Sequence, residues 1–128
     1  MAAAVADYAP QYVSEQKIKK TDENLSIDLT PTADILGNLA EMELPGLVRV
    51  GFAAETQNLL ENAREKLRKK KLDMIIANDA ASSIGADASA LTLVTRDGAV
   101  EELPAMPKEK SAQVIIERLA GMLKEAKK

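Results

Sequence analysis

Two apolar runs separated by an amphipathic helical pattern constrain this chain more than any other feature. Leu47 to Phe52 is nearly continuous, interrupted by Arg49 and ending in Gly51-Phe52-Ala53-Ala54. Leu72 to Ala77 is the second run, and it terminates in Asn78-Asp79. Runs of this kind fit strands buried on both faces, as in a parallel sheet. Between them, Glu55 and Thr56 start a helix with a carboxylate near its positive end, and Leu59, Leu60, Ala63 and Leu67 give it an apolar stripe. The basic stretch Arg64 to Lys71 suits the C-terminus of that helix.

The rest of the chain extends the alternation. Ala2 to Ala6 reads as a short buried strand delivering Asp7 to a turn, and Ala9-Pro10 breaks any helix that might follow. A domain that begins directly on a buried strand is expected to be the C-terminal part of something longer. Thr21 to Asn24 reads as a loop. Leu25, Ile27 and Leu29 then alternate with polar residues as in a half-buried strand, which Pro31 ends. Thr32 is placed to cap a helix carrying Ile35, Leu36, Leu39 and Met42, and Pro45-Gly46 punctuates its end. Ala80 to Ser89 is a loop of small and polar residues. Leu91, Leu93 and Val94 form a strand, Arg96-Asp97-Gly98 a hairpin turn, and Val100 to Leu103 the return, closed by Pro104 and Pro107. A final amphipathic helix begins at Lys108 and runs through Val114, Ile115, Leu119 and Leu123. The expected class is α/β, with helices layered on a mostly parallel sheet and a C-terminal β-hairpin at one edge.

Composition narrows the chemistry. The chain has no cysteine and no histidine, which removes thiolate catalysis, zinc sites and imidazole acid–base chemistry together. Any metal is then a hard ion on oxygen ligands. Tyr8, Tyr12 and Phe52 are the only aromatics, so the core is aliphatic. A net charge of −3 argues against nucleic acid as a partner. No apolar run reaches the length of a membrane span, and Met1 to Ala6 lacks the basic start of a signal peptide, which together point to a cytoplasmic protein.

Lys17-Ile18-Lys19-Lys20 follows Asp7 by ten residues. A carboxylate can hold a cation and ammonium groups can hold phosphate oxygens, so the pair reads as a polyphosphate site with its metal ion. In open α/β sheets ligands bind at the carboxyl ends of strands. Three predicted strands end there in polar or special residues: Asp7, the Phe52 to Glu55 segment, and Asn78-Asp79. Plainer readings stand beside these. Asp7 and Asn78-Asp79 also fit simple turns, Phe52 a core position, Asp34 and Glu55 first-turn helix charges, and Lys66 to Lys71 a solvated helix end. No phosphate-cradling glycine loop occurs, so phosphate contacts fall to lysines, helix N-termini or a further segment.

Four stretches resemble bacterial phosphopantothenate–cysteine ligase, the synthetase half of the bifunctional flavoprotein of coenzyme A biosynthesis. They are Ala2 to Tyr8, Lys17 to Lys20, Val50 to Thr56 and Leu72 to Asp79, and the similarity covers nearly the whole chain in order. The resemblance implies a Rossmann-like three-layer fold and a CTP-dependent ligase working as a homodimer with Mg²⁺. It would activate 4′-phosphopantothenate as an acyl-cytidylate, releasing pyrophosphate, and pass the acyl group to the amine of cysteine. It implies Lys17 as the essential lysine, Ala6, Asp7, Asp34 and Phe52 around the nucleotide, and Asp7 beside the metal. Lys20, Asn78 and Asp79 would line the substrate. Residues 1–128 would then be the C-terminal portion of the ligase domain, without its glycine-rich N-terminal segment. FMN would belong only to the decarboxylase half of the longer protein. Two residues depart from the family's pattern: Ala33 stands where proline is usual before Asp34, and Ser89 replaces a usual asparagine. The fragment alone is expected to be inactive. The alternatives are a non-catalytic nucleotide-binding or assembly module, and a nucleotide-binding α/β domain without ligase activity.

Overall fold

A computed structural model describes residues 5–22, 24–80 and 85–125. The chain divides into two units, Ala3–Ile35 and the portion from Leu36 onward.

The first unit is an antiparallel ribbon of β1 (Tyr8–Pro10) and β2 (Leu29–Pro31), with Tyr8 opposite Pro31 and Pro10 opposite Leu29. Two sequence expectations change here. Of the predicted first strand, Ala2 to Ala4 lie outside the described residues, and Val5 and Ala6 are exposed and not in a strand. Asp7 therefore precedes a strand instead of ending one, and Ala9-Pro10 is itself strand. Proline is tolerated because a two-stranded ribbon is all edge, with donors to spare on one side of each strand. Leu25 and Ile27 fall outside β2 and are exposed along with Leu29, so the half-buried strand predicted over Leu25 to Thr30 shrinks to its end.

The second unit is built on a four-stranded sheet of order β3-β4-β5-β6: β3 (Val50–Glu55), β4 (Met74–Asp79), β5 (Ala88–Thr95) and β6 (Val100–Pro107). β3 and β4 are parallel, joined by helix α2 (Leu59–Lys69); β4 with β5 and β5 with β6 are antiparallel. Parallel pairing is thus confined to the β3–β4 unit. The hairpin sits at one edge as the Arg96-Asp97-Gly98 signal predicts. Gly98 takes φ 94°, and the Thr95 and Gly98 amides close the turn on Ala99 O and Thr95 O, each at 3.0 Å. Pro107 ends β6 as expected, whereas Pro104 lies within the strand. Pro104 falls beside a register shift between Ser89 and Leu91, on an edge strand, where a missing amide donor does little harm.

Helices cover both faces, giving three layers. Helix α1 (Ile35–Ala40) is shorter than the predicted helix, and Met42 lies beyond it. Leu36 of α1 and Leu59, Leu60, Ala63 and Leu67 of α2 pack on Ala53, Leu72, Ile75, Ala77 and Val94. Helix α3 (Lys108–Glu125) brings Ile115, Leu119 and Met122 onto Met74, Ile76, Leu93 and Leu103. β4 lies between the two clusters, and its first four residues are all buried, as its unbroken apolar run requires. Met74, Ile75 and Ile76 each contribute about 1.5–3 kcal/mol of transfer free energy. Gly51 is fixed by packing: a Cβ there would meet Leu72 Cδ1 at 2.8 Å, so helix α1 and Leu72 close over the strand only because no side chain intervenes.

β3 runs three residues later than its predicted span. Pro45-Gly46-Leu47 forms a turn, with the Leu47 amide on Leu44 O at 3.2 Å, and Glu55 ends the strand instead of opening a helix. Its burial alternates, Gly51 and Ala53 in and Phe52 and Ala54 out, so it is not covered on both faces as expected.

Candidate functional site

The parallel ladder sets Ala54 beside Asn78 and Glu55 beside Asp79, so two strands deliver polar groups to one carboxyl edge. Phe52 sits just below on β3 and is 50 % exposed. It shares a face with Met74 and Ile76, but α3 is packed over the other end of the sheet, toward β5 and β6, and leaves the ring open to solvent. A half-exposed aromatic at the carboxyl end of a parallel strand, next to a half-buried Asn78, is a platform on which a planar base can stack. Of the three strand ends predicted to converge, two lie side by side on this ladder. The third, at Asp7, belongs to the separate ribbon.

Glu55 has a role other than opening a helix. Its Oε1 accepts from Lys66 Nζ at 2.6 Å and its Oε2 from Asn62 Nδ2 at 2.9 Å; Asn62 also donates to Gln57 O at 3.1 Å. The carboxylate therefore ties the end of β3 to the first two turns of α2 and holds the connecting turn, where Asn58 adopts the left-handed conformation with φ 49°. The spacing Glu55, Asn62, Lys66 carries this signal, since Asn62 and Lys66 are one helical turn apart on one face. The Lys66 hydrogen bond holds the Glu55 carboxyl below the usual carboxylate range, with Asn62 acting in the same direction against desolvation. A depressed folded-state pKa adds stability above the unfolded carboxylate pKa and loses it as pH falls through the folded value. Glu55→Gln is therefore expected to cost about 1 kcal/mol at neutral pH. The gap from the parent protein should close below about pH 4. Urea denaturation of both proteins across that range measures it.

In the ribbon unit, Thr32 N donates to Asp7 O at 2.9 Å and Thr32 Oγ1 to Ala6 O at 2.5 Å. These bonds bring Ala6, Asp7 and the segment leading to Asp34 to one end of the ladder. Lys17 and Lys20 lie in the connection at its other end, beyond the Gln11 amide bond to Asp28 O, and both are exposed. Among the described residues no three carboxylates gather as a metal cage. The exposed Asp7 carboxylate suits only a site in which one or two carboxylates share a magnesium ion with substrate phosphates, the usual way that ion is bound. No helix among the described residues is long and apolar enough to cross a membrane.

Residues 1–123 match the family described as the DNA/pantothenate metabolism flavoprotein, C-terminal domain. The chain is 40 % identical over 126 residues to the coenzyme A biosynthesis bifunctional protein CoaBC of Bacillus subtilis, covering 96 % of this chain and 31 % of that protein. It is 43 % identical over 119 residues to CoaBC of Vibrio cholerae, covering 89 % of this chain and 30 % of that protein. A crystal structure of the C-terminal domain of CoaBC superposes with a TM-score of 0.75 at 39 % identity, covering 96 % of this chain and 53 % of that one. The chain thus spans about a third of the length of the curated relatives it matches.

Proposed function

Because the chain belongs to the DNA/pantothenate metabolism flavoprotein C-terminal domain family, we propose that it is the C-terminal portion of a phosphopantothenate–cysteine ligase domain acting in coenzyme A biosynthesis. The observation that carries this reading is the carboxyl edge of the β3–β4 ladder, where exposed Phe52 lies on the same sheet face as Asn78 and the strand ends at Asp79. The proposed nucleotide is CTP. The substrate carboxylate attacks its α-phosphorus, pyrophosphate leaves, and the cysteine amine then attacks the acyl carbon with loss of CMP. Such chemistry needs positioning and charge neutralisation more than an acid–base side chain, so a chain without histidine or cysteine is suited to it.

In this reading Lys17 neutralises charge at the reacting centre. Ala6, Asp7, Asp34 and Phe52 contact the nucleotide, Asp7 sharing its Mg²⁺, and Lys20, Asn78 and Asp79 face the substrate. Mg²⁺ would supply Lewis-acid polarisation of the phosphates. These assignments follow the motif resemblance residue by residue. FMN belongs to the decarboxylase half of the longer protein, and the setting is cytoplasmic. A homodimer fits the ribbon unit, whose Tyr8, Tyr12, Val13, Ile18, Leu25 and Ile27 are all more than half exposed. A two-stranded ribbon does not sustain itself in water, and such side chains call for cover.

The test is cysteine-dependent pyrophosphate release. The chain alone is expected to be inactive. Joined to the upstream remainder of a ligase domain, it should release at most one equivalent of pyrophosphate per site with phosphopantothenate and CTP, and turn over continuously only when cysteine is also present. Nucleotide binding without cysteine-dependent release in the joined protein would favour a non-catalytic binding module instead.

A further inference from the structure

At the opposite, amino end of the β3–β4 ladder lies an open cavity of about 520 Å³ that the reading above leaves unused. It is lined by Arg49, Arg68, Lys71 and Arg96 over a floor of Leu67 and Leu72. The cations are held in place by backbone. Arg49 Nη1 and Arg96 Nη2 both donate to Lys71 O, at 3.5 and 2.8 Å, so two guanidinium groups crowd one carbonyl oxygen. Arg49 Nη2 also donates to Met42 O at 3.0 Å and Arg96 Nε to Leu72 O at 3.2 Å.

Compensation is incomplete. Asp73 pairs with Arg96 at 3.0 Å and accepts from the Arg49 amide at 2.7 Å; Glu41 meets Lys71 at 3.4 Å. Arg68 makes no ion pair within 4 Å among the described residues. Four cations therefore face two directly paired carboxylates, with Glu65, itself paired to Lys69 at 2.6 Å, near Arg68 as the one further acidic influence. The Arg49 Nε is buried and has no acceptor among the described residues, a costly arrangement for a charged donor. Lys71 itself holds φ 48° just past the end of α2, a position that glycine fills without strain. A preorganised guanidinium pair with further cations around it suits a doubly charged, multi-acceptor oxyanion.

We propose that this cavity binds a phosphate dianion, as free phosphate or as a monoester, at a site separate from the carboxyl edge and independent of the ligase reading. The test follows the arginine Nε–Hε signals of the ¹⁵N-labelled chain by NMR during titration with inorganic phosphate at constant ionic strength, with chloride as control. The Arg49 and Arg96 signals should shift saturably with phosphate and not with chloride. Arg68→Gln, an exposed change that leaves the fold intact, should weaken binding about fivefold. A phosphomonoester titrated in parallel separates the two sources: tighter saturation than phosphate identifies the ester, and equal or weaker saturation identifies the free anion. Shifts that fail to saturate, that chloride reproduces, or that Arg68→Gln leaves unchanged would overturn the proposal.

Discussion

Lys17→Ala in the assembled ligase is expected to lower kcat by about 10²- to 10³-fold, roughly 3–4 kcal/mol of transition-state stabilisation. The loss should appear in kcat with the KM for cysteine little changed, because the proposed role is to neutralise charge that develops at the transferring group. Lys17 is exposed, so the substitution should leave the unfolding midpoint nearly unmoved. Lys17→Gln, which keeps most of the side chain and removes the charge, should be as slow as the alanine variant. A glutamine variant near parental rate would assign Lys17 to packing or solvation and remove it from the chemistry.

Ile76→Ala should have the largest effect on stability. Ile76 is fully buried at the centre of β4, in the cluster with Met74, Leu93 and Ile115. The helices on both faces of the sheet leave little room for collapse around a cavity there, so the expected loss is about 3–4 kcal/mol. That is a large part of the stability of a chain this size. The chain has no tryptophan, and both tyrosines lie in the ribbon unit. Urea denaturation followed by far-UV circular dichroism therefore reports mainly on the sheet unit through the helices packed on it, and tyrosine fluorescence on the ribbon. A loss below about 1 kcal/mol would mean that the packing around β4 is looser than described here.

What could be read from the residues was what local pattern determines. The α2 stripe Leu59, Leu60, Ala63 and Leu67, the buried run of β4, the Asp97-Gly98 hairpin and the final helix all lie where periodicity puts them. Boundaries failed where a long-range partner decides. Glu55 looks like a helix-opening charge until Lys66 pairs with it and Asn62 donates to it at the end of a strand. The direction of β5 is set by its crossing from β4, and nothing in the Leu91 to Val94 pattern specifies it, so the sheet has more antiparallel character than the helix–strand alternation implies. Of the candidate site residues, Phe52 and Asn78 fall on one parallel ladder as the apolar runs imply, whereas Asp7 precedes a strand instead of ending one.

The central claim is that a nucleotide sits at the carboxyl edge of β3 and β4. Amide chemical-shift mapping of the assembled ligase domain with CTP and Mg²⁺ tests it most directly. Saturable shifts centred on Phe52, Ala54 and Asn78, weakened when Phe52 is replaced by alanine, are the predicted result. Saturable binding whose shifts spare those three residues and gather elsewhere on the sheet would contradict it.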